Sequence, residues 1–388
     1  MKYIILSDLH LGHKGIQNNG FVSLLSNIPE GADGYGKSKL DSFSTAIKDF
    51  CGEDKAVLIL NGDLLELSLA TMRDALDSFL DVIATIKDNV SKIILIVGNH
   101  DHHIWSLHSE YSRSLNHLLS GDLPAVGTAY RTTIFAEKAH LLDPLIKKQI
   151  DENIDFKVSY PSLRLHLNNG DEPVYCYITH GHLLSGLYNL TSRILKPFAI
   201  GRETEYTIAE VNSALIEFMY WSAGEMGDGM GVDGILEAMY TDLEKGKSSK
   251  MKELLVNLSN TLFPDGVLSF VPDVLERKIF SWLAEKMSKK LSKDRDKPIS
   301  SVDRYASLED TRNYVNDWTN NVVDLSPPYK RMIFVSGHTH RADEFNINET
   351  VKYYNTGSWL LEPAHPEPES RLLFIEDGEE LKIEFKVI

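Results

Sequence analysis

Residues 3–12 read YIILSDLHLG, an apolar run rich in β-branched side chains that breaks off into Asp8 and His10. The run is expected to form a buried strand. Asp8 and His10 stand two residues apart at its end, so both can point to one side with Leu9 turned away. Such a pair can chelate one cation. Four more segments end apolar runs in the same manner: NGDLLE at 61–66, VGNHDHH at 97–103, ITHGH at 178–182 and SGHTHR at 336–341. Asp8, His10, Asp63, Asn99, His180, His338 and His340 are all oxygen or imidazole donors, a mixed set that suits a pair of first-row divalent cations.

The rest of the chain gives these segments a common place. Strands are expected at 3–6, 57–60, 93–97, 174–178 and 332–335. Apolar residues recur every three or four positions over 39–50 and 72–87, which predicts helices between the strands. This alternation predicts an α/β architecture. Each donor follows a strand within a few residues, and in open α/β sheets ligands gather at the strand carboxyl ends. Strands are also expected at 351–355, 371–376 and 381–387, with Asp377-Gly378 as a hairpin turn, and are expected to make a second, more antiparallel sheet. Asp and Asn tolerate tight loops, and Gly62, Gly98, Gly181 and Gly337 would permit positive φ.

Residues 185–330 have few candidate strands. Helices are expected at 208–226, 232–243, 250–262, 274–291 and 308–323, with breaks at 264–266 and 293–298. The chain therefore divides into a catalytic domain, 1–184 with 331–388, and a helical insertion at 185–330. A chain of 388 residues with 43% hydrophobic content can bury a large core. Its formal net charge of -16 opposes tight, nonspecific binding to nucleic acid. Cys51 and Cys176 are too few for a disulfide framework. No apolar run approaches the roughly 20 residues that span a bilayer, and the apolar stretch in MKYIIL is too short for a signal peptide. The cytoplasm is the expected location.

In all five segments, and in their order, the chain resembles the calcineurin-like metallophosphoesterases. The resemblance implies two packed mixed β-sheets flanked by helices, and a binuclear centre with Mn²⁺ as the expected metal and Fe or Zn²⁺ as alternatives. It assigns Asp8, His10 and His340 to one metal, Asn99, His180 and His338 to the other, and Asp63 as the bridging carboxylate. In a two-metal site a water held between cations loses a proton readily and attacks phosphorus in line with the leaving alkoxide. The resemblance places His100 near the leaving group, where it could protonate that oxygen or stabilise its charge; Asp101 would orient the His100 ring. His13, His102, His103 and His182 are expected in ordinary loop or surface roles, with contact to substrate phosphate as the alternative for His103 and His182. Arg341 could hold an anionic substrate or form a surface salt bridge, and residues 354–358, YNTGS, are expected to make a tight turn under the site.

The insertion leaves and re-enters the chain between two ligand-bearing segments, which predicts a lid. Within it, 274–291 is a basic amphipathic pattern that could lie on an anionic membrane surface or bind an acyl chain, or pack on the other insertion helices. The position of the insertion and the NGDLLE segment are similar to those of the UDP-2,3-diacylglucosamine hydrolases. The departures are His100, where those enzymes have arginine, and the greater size of the insertion. The expected activity is hydrolysis of a small or lipid-linked phosphoester, with peripheral contact at the inner membrane surface through the insertion. A nucleotide-lipid pyrophosphatase, a nuclease and a noncatalytic scaffold are the competing readings; oligomeric state is left open.

Overall fold

The computed structural model describes residues 1–12, 22–25, 35–125, 133–139, 142–170, 172–184, 207–222, 331–347, 349–361 and 369–388. Its strands are β1 (Lys2–Leu6), β2 (Val22–Ser23), β3 (Ala56–Asn61), β4 (Val90–Ile96), β5 (Thr133–Ala139), β6 (Asp155–Tyr160), β7 (Ser162–Leu167), β8 (Val174–Thr179), β9 (Arg331–Ser336), β10 (Ala342–Asn346), β11 (Val351–Thr356), β12 (Leu360–Leu361), β13 (Arg371–Glu376) and β14 (Lys382–Val387). Seven form one sheet in the order β14-β13-β1-β3-β4-β6-β5, and five form another in the order β10-β11-β9-β8-β7. The centres of both are parallel: β1, β3, β4 and β6 in the first, and β8, β9 and β11 in the second. Antiparallel strands edge each sheet.

Period-2 alternation splits each strand between two cores. Ile5, Ile59, Ile94 and Ile96 from the first sheet meet Leu163, Ile178, Ile333 and Val335 from the second. The opposite face of the first sheet sends Ile4, Leu58, Ile93 and Leu95 into the same core as α1 (Tyr35–Cys51) and α2 (Met72–Ile86). In α2, Ala75, Phe79, Val82, Ile83 and Ile86 form the buried stripe, and Thr71 caps the start by accepting the Asp74 N–H at 3.1 Å. Two packed mixed sheets flanked by helices is the architecture that the resemblance implied.

The C-terminal expectation needs correction. The strands at 351–387 do not form a sheet of their own. β11 lies parallel to β9 in the second sheet, whereas β13 runs antiparallel to β1 and carries β14 to the edge of the first. The link from β13 to β14 runs from Glu376, paired with Lys382, so it is longer than a two-residue turn at Asp377-Gly378. Six strands were not expected: β5, β6, β7 and β10, and the two-residue β2 and β12, which pair with each other. The 208–226 helix is observed as Ile208–Glu217 followed by a wider turn at Phe218–Ser222; the four other expected insertion helices lie outside the described residues. Among the described residues no helix is long and apolar enough to cross a membrane.

Candidate metal centre

Register sets the site. Leu6 pairs with Leu60, Asn61 with Ile96, and Ile178 with Val335, so neighbouring parallel strands end close to level. The loops that follow are laced together. Asp8 N–H donates to Gly62 O at 3.0 Å, His10 N–H to Asp63 O at 2.9 Å, and Gly337 N–H to His180 O at 2.8 Å. The strand-end segments thus meet on one side of the two sheets.

Three groups of donors converge there, each with its ligand atoms within 4.8 Å of one another: Asp8, His10 and His340; Asp63, His180 and His338; and His10, Glu66 and His100. Asp63 lies between the first two, its Oδ2 being 3.0 Å from His180 Nε2 and 4.0 Å from His10 Nε2. His340 Nε2 stands 3.1 Å from His10 Nε2 and 3.4 Å from Asp8 Oδ1. Six of the seven expected ligands therefore fall into two triads sharing a wall. Asn99 is buried beside them, and its Oδ1 has no hydrogen-bond partner among the described residues. A buried carbonyl oxygen in that condition is costly unless a cation meets it.

Hydrogen bonds fix which imidazole nitrogens are available. His180 Nδ1 donates to Asn61 O at 2.9 Å, which leaves Nε2 as the nitrogen that faces Asp63 Oδ2 at 3.0 Å; burial lowers this imidazole, but the charges of Asp63 and Asp8 outweigh it and lift it to about 10. His10 Nδ1 donates to Glu66 Oε2 at 2.7 Å, leaving its Nε2 toward His340. His10 Nε2 and His340 Nε2, 3.1 Å apart beside Asp8, are the ring nitrogens that a cation held by this triad would meet. Burial, with the charge of His180, pushes the His338 imidazole down to about 3, toward its neutral, ligating form. The donor set and its orientation fit two divalent cations.

Glu66, which carried no assigned role in the sequence, is the carboxylate that joins the centre to His100. Its Oε1 accepts the His100 Nδ1–H at 2.8 Å and is fixed in turn by the Ser68 hydroxyl and the Ser68 N–H. Burial would raise this carboxyl, but the His100 charge and the bonds from both imidazoles outweigh it and hold it well below the usual range. His100 responds in the opposite sense: burial lowers it, and the charges of Glu66 and Asp63 lift it to about 9.

Asp101 does not orient His100. Its two oxygens accept the Gly98 N–H at 2.7 Å and the Leu64 N–H at 2.8 Å, stapling the loop after β4 to the loop after β3. Nor do all four motif glycines serve positive φ. Gly62 and Gly181 do, at φ +83° and +107°; Gly98 and Gly337 instead give room, since a Cβ there would lie 2.3 Å from Asp63 Oδ1 and 2.4 Å from Asp8 Oδ2. Residues 354–356 end β11, and the turn follows only at Gly357. Asn355 supports the last ligand loop by donating to Gly337 O and Thr339 Oγ1, each at 3.0 Å.

His102 and His103, expected in loop or surface roles, open α3 (His102–Glu110) and face the Ile208–Glu217 helix and the turn after it. Glu217 accepts from His102 Nδ1 at 3.0 Å, from Ser106 Oγ at 2.8 Å and from His103 Nδ1. His182 is buried near Tyr160, with its ring 5.5 Å from that of His180. Arg341 is half-buried, and His13 lies outside the described residues.

Level strand ends that bring buried carboxylates and imidazoles into neighbouring triads make a candidate centre for two metal ions. Residues 1–198 match the calcineurin-like phosphoesterase family, and the chain belongs to it. The matched part includes Asp8 through His180; His338 and His340 lie beyond it. Among solved structures, the chain is similar to a dimetal phosphatase from Danio rerio at 13% identity and a TM-score of 0.36, with 100% of this chain and 96% of that one covered. It is also similar to a 5'-nucleotidase from Candida albicans at 11% identity and a TM-score of 0.31, with 99% of this chain and 50% of that one covered. Comparison with curated proteins gives no match.

Proposed function

We propose that the chain hydrolyses phosphodiesters or phosphomonoesters of a small or lipid-linked alcohol. Asp8, His10 and His340 would hold one divalent cation and Asn99, His180 and His338 a second, with Asp63 as the carboxylate shared between them. The observation that carries this reading is in the backbone. Asp8, His10, Asp63, His338 and His340 are the non-glycine residues with positive φ among those described, at +56°, +47°, +49°, +70° and +58°. Left-handed backbone costs an L-residue roughly 1–2 kcal/mol, and such strain concentrates where function requires it. Turn-forming residues alone would not place all of it on prospective ligands.

Bound divalent cations neutralise phosphoryl oxygens and lower the pKa of a coordinated water, with Mn²⁺ the metal we propose. The protein's own contribution is positional. Asp63 accepts the His100 N–H at 2.9 Å through Oδ1, which sets the His100 backbone against the centre. With Nδ1 committed to Glu66, His100 has Nε2 left to donate to the leaving oxygen. The 185–330 insertion acts as the lid, a role supported by the packing of residues 207–222 beside His100.

The test is hydrolysis of bis(p-nitrophenyl) phosphate and of diphenyl phosphate by purified protein with Mn²⁺. Activity is expected with metal, lost on chelation and abolished in Asp63→Ala, whereas His100→Ala should slow phenol release from diphenyl phosphate much more than p-nitrophenol release. Turnover that survives chelation, or that persists in Asp63→Ala, overturns the assignment, and equal losses on the two esters in His100→Ala overturn the role given to His100.

A further inference from the structure

The histidine proposed to assist the leaving group is held from three directions, and one of them belongs to the insertion. Glu66 holds Nδ1, the His10 ring meets the His100 ring edge-on at 4.7 Å and 81°, and Tyr220 lies against it at 4.7 Å and 55°. Tyr220 sits in the wide turn Phe218–Ser222, directly after the Ile208–Glu217 helix. Such widened turns recur at functional sites.

What holds that turn in place is a polar clamp on α3. Glu217, the last residue of the helix, takes hydrogen bonds from His102, His103 and Ser106, while His102 Nε2 reaches Ser213 Oγ at 3.2 Å. One turn position further on, Trp221 stacks on His103 with ring centroids 3.8 Å apart and planes 4° from parallel. His102 and His103 stand two and three residues after His100, so the clamp grips the start of α3 and the ring that it steadies lies in the loop leading into that helix.

We propose that Glu217 and Tyr220 are positioning residues for leaving-group departure: Glu217 docks the helix on His102 and His103, and Tyr220 thereby fixes the plane of the His100 ring. The inference rests on the role given to His100 above. It assigns the insertion a part in the reaction as well as in covering the site. A small misplacement of a reacting group can cost about a hundredfold in rate, and ring steadiness matters most when the departing oxygen needs a proton.

The experiment therefore compares two symmetric esters in wild type, Glu217→Gln and Tyr220→Leu: bis(p-nitrophenyl) phosphate, whose p-nitrophenolate leaves unaided, and diphenyl phosphate, whose more basic phenolate needs a proton, followed through release of phenol. Phenol release should fall by about tenfold more in kcat than p-nitrophenol release, with KM held. Equal losses on the two esters, or a change confined to KM, would mean a merely structural contact and overturn the proposal. If wild type hydrolyses neither ester with Mn²⁺, the proposed function fails, and the clamp is read separately from the His100 imidazole ¹⁵N resonances, assigned with His100→Gln. Resonances that shift in both variants support it; unmoved resonances overturn it.

Discussion

Replacing Glu66 by Gln keeps the size of the side chain and removes one of its two acceptors. In the protein the carboxylate accepts from His10 Nδ1 at 2.7 Å and from His100 Nδ1 at 2.8 Å. Bonds to a charged partner contribute about 1.5–3 kcal/mol each, and a carboxamide facing two ring N–H groups can satisfy only one of them. Its NH₂ must confront the other. If the conflict falls on His10, metal affinity should drop by about tenfold to a hundredfold, as when a group behind a metal-bound histidine is removed. If it falls on His100, the loss is in kcat, up to the roughly 10²–10⁴ that a positioned acid contributes. Titrating Mn²⁺ against activity on bis(p-nitrophenyl) phosphate and on diphenyl phosphate separates the two. We expect a weaker apparent metal affinity together with a kcat deficit that persists at saturating Mn²⁺ and is larger for phenol release. Full recovery of kcat on both esters at saturating metal would refute the link from Glu66 to His100.

His340 has φ +58° and a side chain about one quarter exposed, so His340→Gly should leave the metal-free protein more stable than His340→Ala by about 1 kcal/mol, the reverse of the order elsewhere. Urea midpoints of the two chelated variants decide it, and a less stable glycine variant would argue against left-handed strain there. Chelation itself should lower the thermal midpoint of the wild type, because a ligand at a hundred times its Kd contributes about 2.7 kcal/mol. Calorimetry with EDTA and after Mn²⁺ is restored gives the answer, and a midpoint that ignores both contradicts a resident metal.

Strands buried on both faces were the legible part of the fold. β1, β3, β4, β8 and β9 are continuous apolar runs because each is covered on both sides. β7 and β10 lie at the edges of the second sheet, and their sequences, SLRLHL and ADEFN, alternate polar with apolar or carry charge. The repeat Leu163, Leu165, Leu167 is a period-2 signal that would have found β7. In the site, the donors were legible because their chemistry and order are written locally. Which group orients which is not local. Asp101 adjoins His100 in the chain, yet its carboxylate turns back to the Gly98 and Leu64 amides. Glu66 reaches His100 across 34 residues and Glu217 reaches His102 across 115. No periodicity in the sequence encodes pairings at such distances.

The left-handed ligands connect these strands to the chemistry. A parallel strand that ends level with its neighbours must turn at once if its side chains are to face the same point, and the residue at the turn must also be the donor. Glycine would turn without strain but has nothing to donate. Asp and His tolerate the left-handed region better than most residues, so they are a workable compromise. The cost recurs at five positions, alongside the desolvation of buried Asp8, Asp63 and Glu66. A domain's net stability is only about 5–15 kcal/mol, so that combined cost is large enough to require an offset. Cations bound by the same residues supply one, since binding to the folded state alone adds directly to its stability. In this protein the metals are therefore expected to act on folding as well as on phosphate, and the loops that bind them should be the first part of the catalytic domain to loosen when they are removed.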